Sequence, residues 1–356
     1  MKEKAIILTH GMLHTNDAKT AHGLIRGTER FDIVAVIDER HAGMDAGEVL
    51  DGKHRDIPVF AKLEEACHSI SDLRWVIIGI ATVGGILPKD LFEVIRDAIQ
   101  RKLSVVNGLH DYLTSHEDLV ALAAASGVQL IDIRKPKSRP ELHFWTGKIH
   151  DVKVPIIAVM GTDCALGKRT TARLAKEQCI AQGIRAEMIY TGQTGWLQGG
   201  KYGFVLDSTL NDFVSGELEH AILEAAEDGA EVIFIEGQAS LRNPSGPCGL
   251  EFLISGCAKH VILVHAAKRI YYDNDEHWGK IPPVESEIAI IESFGSKVVA
   301  VALNTEGCQL QEAYHFQQEY QNRLQLPVLL PLEQGMGPLM PLIENLLQKS
   351  RESTDQ

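Results

Sequence analysis

The chain has 356 residues, 45% hydrophobic and 23% charged, with a formal net charge of -13. That length suits two domains of roughly 100–200 residues each, and an acidic balance without any Lys/Arg block excludes a sequence-independent nucleic-acid binder. No stretch reaches the ~18 consecutive apolar residues of a membrane span, and the opening MKEKAIILTHGMLH has too short an apolar run for a signal peptide, so the cytoplasm is the expected location.

Short β-branched runs alternate with helical patterns along the whole chain, the mark of parallel α/β sheets. In the first half the expected strands are 5–8, 33–37, 75–78, 104–106 and 129–133, separated by helices at 17–27, 62–67, 88–101 and 116–126. The polar stretch 134–154 breaks the rhythm. A second series follows, with strands at 156–160, 186–190, 231–235, 260–264 and 297–302, and a final surface helix at 340–347 before a tail, 351–356, expected to fray. The predicted fold is therefore α/β throughout. A Rossmann-like N-terminal domain (1–147) precedes a P-loop NTPase-like C-terminal domain (148–356), both with mainly parallel sheets. Cys67, Cys164, Cys179, Cys248, Cys257 and Cys308 show no CxxC pair and read as reduced thiols, not as a disulfide framework or zinc site.

The first domain offers weaker signals. Its second strand ends at Asp38, where a dinucleotide-binding fold places a ribose-binding acid, but no GxGxxG accompanies it. The glycine-rich turn 79–85 and the basic residues Lys19, Arg26, Arg134 and Lys135 are candidates to line a cleft and hold a carboxylated substrate.

The segment KVPIIAVMGTDCALGKRTTARLAKE carries the strongest motif. A buried strand enters a loop bounded by Gly161 and Gly167, followed by Lys168 and a helix with Thr170 and Thr171 in its first turn. Inward N–H groups and the helix N-terminus favour phosphate oxygens there, with Lys168 as a point charge. Gly161, Thr162, Asp163, Ala165, Gly167, Lys168, Arg169, Thr170 and Thr171 are the expected ligand-binding set. Arg169 stands where Ser or Thr normally reaches Mg²⁺. Moving that role to Thr170 or Thr171 rotates it by about 100° per residue, so no metal ligand set is assigned. Gly161-Thr162-Asp163 in a long loop resembles the loop of dethiobiotin synthetase, which activates a small carboxylate with ATP.

Five further strand ends or helix starts carry polar residues. VIFIEGQAS ends a strand at Glu236, a candidate base or metal contact. Thr191, Gln193 and Thr194 lie in the glycine-rich TGQTGWLQGG after another strand. His265 closes the strand 260–264, a candidate general base followed by Lys268 and Arg269. Ala302-Leu303-Asn304-Thr305 would suit recognition of an adenine ring. In DFVSGELE (212–219) three carboxylates, Asp212, Glu217 and Glu219, crowd a helix start, and Ser215-Gly216 suggests a functional turn.

Taken together, AKTAHGLIR (18–26), VIDERHAG (36–43), GTDCALGKRTT, TGQTG, DFVSGELE, IEGQAS and ALNTEG resemble a two-domain bacterial family long catalogued as of unknown function. Its characterised members are D-glutamate N-acetyltransferases. The resemblance covers nearly the whole chain, and in that family too a non-hydroxyl residue follows the P-loop lysine. It implies acetyl-CoA as co-substrate, an acidic D-amino acid as acceptor, and a partner dehydrogenase or racemase of the same pathway. A homo-oligomer without nucleic-acid or membrane partners is expected. Glu236 and His265 are then the candidate bases, with Lys168 or loop N–H groups holding the oxyanion. Two other readings stay open: an ATP-dependent ligase or kinase using Mg-ATP, and a nucleotide-binding regulatory protein.

Overall fold

In the computed structural model, which describes residues 2–354, the chain divides into two compact units. One holds the chain up to Lys137 together with Gln193–Gly200; the other holds Ser138–Gly192 and the chain from Lys201 on.

The first unit is built on six parallel strands: β1 (Glu3–Leu8), β2 (Phe31–Ile37), β3 (Val59–Phe60), β4 (Leu73–Ile78), β5 (Ser104–Asn107) and β6 (Leu130–Asp132). Their order, β3-β2-β1-β4-β5-β6, is that of a Rossmann-like sheet. Ala5–Leu8 of β1 is buried throughout, as a strand covered on both faces must be. The helix Lys89–Gln100 packs through Leu91, Ile95, Ala98 and Ile99, the i, i+4, i+7, i+8 stripe of an amphipathic helix. In this unit β3 and the helix Ala46–Asp51 escape the sequence patterns. Both are short, and the helix is defined by its ends: Asp45 caps the N–H groups of Gly47 and Glu48, and Gly52 closes it in the left-handed conformation.

The glycine-rich stretch after Tyr190 contributes to this first unit. Gln198 donates to the Gly23 and Gly27 carbonyls at 2.8 and 3.0 Å, and Thr28 donates to Leu197 O at 2.7 Å. The Arg30 guanidinium lies 4.0 Å over the Trp196 ring, and Leu197 joins the core around Ile7 and Val36. With its amide oriented to satisfy both atoms, Gln193 donates to Gly108 O and accepts from Arg134.

The second unit holds seven parallel strands: β7 (Ile156–Gly161), β8 (Ala186–Tyr190), β9 (Tyr202–Gly203), β10 (Val232–Glu236), β11 (His260–Ala266), β12 (Lys297–Asn304) and β13 (Val328–Leu329). The order is β13-β12-β11-β7-β10-β8-β9. Alternate residues of β7 enter opposite cores: Ile156, Ala158 and Met160 pack on one face, Ile157 and Val159 on the other. The central strand is thereby fixed, and with it the loop that leaves its carboxyl end.

The domain boundary expected at 147/148 falls inside this second unit, because two buried carboxylates clasp the preceding segment. Glu217 Oε1 accepts from His143 N and Nδ1, both at 2.8 Å. Glu219 accepts from Thr146 N at 2.6 Å, Thr146 Oγ1 at 2.9 Å and Ile149 N at 3.1 Å. Burial pushes the Glu219 carboxyl up, but these donors outweigh it and leave it below its ordinary range. Ser215-Gly216 is accordingly no functional turn. It lies within the helix Asn211–Glu227, where a Cβ at Gly216 would stand 2.1 Å from His143 O. The glycine lets the clasped backbone cross the helix.

The last helix runs Met340–Thr354, so Arg351–Thr354 of the tail expected to fray is helical. Residues 355 and 356 lie outside the described residues. Among the described residues no helix is long and apolar enough to cross a membrane.

Candidate functional site

Strand β7 delivers the chain into the loop between Gly161 and Gly167, and the helix Lys168–Ala181 leaves it. Two residues of the loop take left-handed backbone angles, Ala165 (φ 49) and Gly167 (φ 90). Three of its carbonyl oxygens have side-chain donors. Cys164 O accepts from Arg269 at 2.7 Å, Leu166 O from Asn304 at 3.0 Å, and Asp163 O from Lys168 Nζ at 2.6 Å. Thr162 N donates to Val264 O at 3.1 Å, and strand, glycine-bounded loop and a helix N-terminus whose first N–H groups have no intrahelical acceptor together make the P-loop arrangement. This is a cradle for phosphate oxygens.

Asp163 is the anchor of that loop. Its side chain is fully buried and accepts from Asn243 Nδ2 at 2.8 Å, from Arg269 Nη1 at 2.9 Å and from the Asp273 N–H at 2.9 Å. A carboxylate so occupied shapes the cradle from behind.

Lys168 is 5% exposed and threads between two glycines. A Cβ at Gly161 or Gly237 would come within 2.9 or 3.0 Å of its Cδ. Burial lowers the ammonium to about 8, against the raising effect of Cys164, Cys248 and Asp163; Arg269 adds to the lowering. Its charge is thus costly where it stands and is relieved by an incoming anion.

Glu236 ends β10, 4% exposed. Burial raises its carboxyl to about 7, opposed by Arg169, the Thr191 N–H and Lys168. A carboxyl that changes charge near neutrality is suited to proton transfer.

Two domain models match this sequence. That of a P-loop domain of unknown function, DUF1611_C, spans residues 143–340, and that of the Rossmann-like DUF1611_N spans residues 39–136. The chain belongs to the DUF1611 family. A crystal structure of a DUF1611 family protein from Anabaena variabilis superposes with a TM-score of 0.88 at 29% identity, covering 97% of this chain and 99% of that one. Two proteins named D-glutamate N-acetyltransferase are also similar. The one from Pseudoalteromonas sp. is 28% identical over 74% of this chain and 79% of its own length. The one from Tritonibacter scottomollicae is 28% identical over 78% and 83%.

Within the DUF1611 P-loop unit, the structure brings together the loop 161–171, Glu236 and Thr191. His265 lies at the same strand ends, but both of its ring nitrogens are taken: Nδ1 by the Thr162 hydroxyl at 2.9 Å, Nε2 by the Tyr320 hydroxyl at 3.0 Å. Burial, assisted by Arg323 and opposed by Glu285, lowers this imidazole to about 4, so it is neutral at physiological pH and steadies Thr162. Asn304 does not face an adenine pocket; its amide holds the loop through Leu166, and its oxygen accepts from Glu306 N at 2.8 Å.

Gln193 and Thr194 belong to the first unit, leaving Thr191 as the residue of that glycine-rich stretch beside Glu236. In the first unit Asp38 is fully occupied. Its Oδ2 accepts from Thr9 Oγ1 at 2.6 Å and Leu13 N at 3.0 Å, and its Oδ1 pairs with His41 at 2.8 Å. It closes the first loop and leaves no oxygen for a ribose. Asn243, Asp273 and Arg269 hold the loop, and no sequence motif marks them for it. Their one legible signal was position, since each lies just beyond a strand of the P-loop sheet.

Proposed function

We propose that this protein is an N-acetyltransferase that moves an acetyl group from acetyl-CoA to the amino group of an acidic D-amino acid, with D-glutamate the first acceptor to test. The observation that carries the reading is Glu236, a buried carboxyl raised to about 7 in the unit that bears the P-loop. The two relatives named D-glutamate N-acetyltransferase support it. Coenzyme A bears a pyrophosphate and a 3′-phosphate, which suits a cradle of loop N–H groups closed by Lys168. The residue after that lysine is Arg169, a phosphate partner and not a magnesium ligand.

Acetyl-CoA supplies the thioester, whose C–S bond breaks as the new C–N bond forms; coenzyme A leaves as the thiolate and takes up the second proton that the acylated nitrogen sheds. Glu236 takes the proton that the substrate ammonium must lose before its nitrogen can attack. Lys168 and the loop N–H groups are the donors at hand for the phosphates and for negative charge developing on the carbonyl oxygen. On this reading the N-acetyl product passes to a dehydrogenase or racemase of the same pathway.

A second reading, carboxylate activation with Mg-ATP, is favoured by Thr171, which is buried in the first helical turn, and by an acid at the end of β10. Calorimetric titration with acetyl-CoA and, separately, with Mg-ATP decides between them. Acetyl-CoA binding that weakens ~10–100-fold in Lys168→Ala, with acetyl transfer to D-glutamate, is the expected result. Binding of Mg-ATP alone would overturn the acetyltransferase reading.

A further inference from the structure

Glu236 is held on one side and left open on the other. Thr191, 1% exposed, follows β8 directly. Its N–H donates to Glu236 Oε2 at 3.2 Å, and its hydroxyl donates to the Glu236 carbonyl at 2.7 Å while accepting from Gln238 Nε2 at 2.8 Å. The second oxygen, Oε1, lies toward Gly192. A Cβ built at Gly192 would stand 3.8 Å from Oε1 and 2.9 Å from Gln238 Nε2. Gly192 is not among the residues with positive φ, so the backbone conformation gives no reason for a glycine here. The missing side chain makes room for the Gln238 amide, which a Cβ would crowd, and keeps a methyl from van der Waals contact with the carboxylate beside it. A base must come within about 2.6–3.2 Å of the proton-bearing nitrogen, and a methyl in van der Waals contact with Oε1 would occupy that approach.

We infer that the acceptor's amino group reaches Glu236 over the bare backbone of Gly192, and that Thr191 and Gln238 are positioning residues that hold the carboxylate to meet it. This rests on Glu236 being the base of the transfer proposed above. The charged groups that act on Glu236 are Arg169 and Lys168, both from the helix Lys168–Ala181.

The test combines kinetics with a readout that needs no turnover. In Gly192→Ala the acceptor KM rises ~tenfold or more, while the dissociation constant of acetyl-CoA stays within about twofold of wild type. In the same variant the Glu236 carboxyl, followed by carbon NMR, titrates higher than in wild type, because the added methyl keeps water from Oε1. Thr191→Val, which loses the hydroxyl, lowers kcat and shifts the pH–rate profile, and Thr191→Ser regains most of both. An unchanged acceptor KM in a folded Gly192→Ala protein overturns the inference, as does an unmoved Glu236 titration. If the wild type transfers no acetyl group, the acetyltransferase reading fails and the NMR titration alone judges the open face. Should Gly192→Ala not fold, the Thr191 pair decides: a pH–rate profile unmoved in Thr191→Val overturns the positioning role.

Discussion

Asp163 and Arg269 form an ion pair behind the phosphate loop, Oδ2 to Nη1 at 2.9 Å, with side chains 0% and 5% exposed. The same guanidinium nitrogen also holds Cys164 O, so one arginine fixes both a side chain and a carbonyl of the loop. Removing Asp163 takes the buried partner from Arg269 and leaves it, among the described residues, only the exposed Glu306 carboxylate at 3.3 Å. Asp163→Ala is expected to cost about 3–5 kcal/mol in urea denaturation and to weaken acetyl-CoA binding through a slack loop. A stability within about 0.5 kcal/mol of wild type would show that the pair contributes little.

Lys168 gives a pH dependence with a definite sign. Its ammonium is lowered to about 8, and only the charged form attracts phosphate. Affinity for a phosphate-bearing ligand therefore holds at pH 7 and falls as pH rises through 8, until the value of the bound state is passed. Calorimetry at pH 7.0, 8.5 and 9.5 (from about one unit below to about one and a half above that titration) measures this. Lys168→Ala should lose ~10–100-fold in affinity at pH 7, the worth of a charged hydrogen bond, and should show a flat profile.

Glu236 makes two linked predictions. As the base it must be ionised, so kcat/KM rises with pH through about 7, and Glu236→Gln lowers kcat by ~10²–10⁴-fold. As a carboxyl raised on folding, it binds more protons in the native than in the unfolded state between its ordinary value and 7. Stability contributed by the protonated form is thus present at low pH and lost as pH rises through 7. Glu236→Gln mimics that neutral form, so it should be more stable than wild type at pH 8 and nearly equal at pH 5, by thermal unfolding. A variant less stable at both would contradict this.

The clasp at Glu219 tests the boundary segment. Glu219→Ala leaves the Thr146 and Ile149 donors without acceptors and should cost about 2–4 kcal/mol, with faster proteolysis within 138–151. The Glu219 carboxyl lies below its ordinary range in the fold, so its contribution is present above the unfolded value and lost as pH falls through the folded one. Gly216→Ala, with its Cβ 2.1 Å from His143 O, should be destabilised by about 1–3 kcal/mol.

Much of the architecture was legible because its signals are local. The strands at 186–190 and 260–264 and the helix at 116–126 declared themselves by apolar runs and periodicity, and the P-loop by its glycines and lysine. The short β3, β9 and β13 were not legible, since two residues carry no period. The role of Arg269 was equally hidden, because an arginine after a strand looks the same whether it pairs with a loop or faces water.

The amino-acid sequence by itself determined the two sheets, the loop between Gly161 and Gly167, the lysine that follows it and the acid at the end of β10. Each of these depends on residues close together in the chain, where steric limits and hydrogen-bond geometry act directly. Tertiary structure alone decided how the polar residues divide. It placed Gln193 in the first unit, spent Asp38, Glu217 and Glu219 on backbone donors, sealed His265 between two hydroxyls, and left Glu236 with one oxygen beside a bare glycine. The physical reason is that burial and hydrogen-bond partners belong to chain segments far apart in sequence, and a carboxylate becomes an anchor or a base according to which of them it meets.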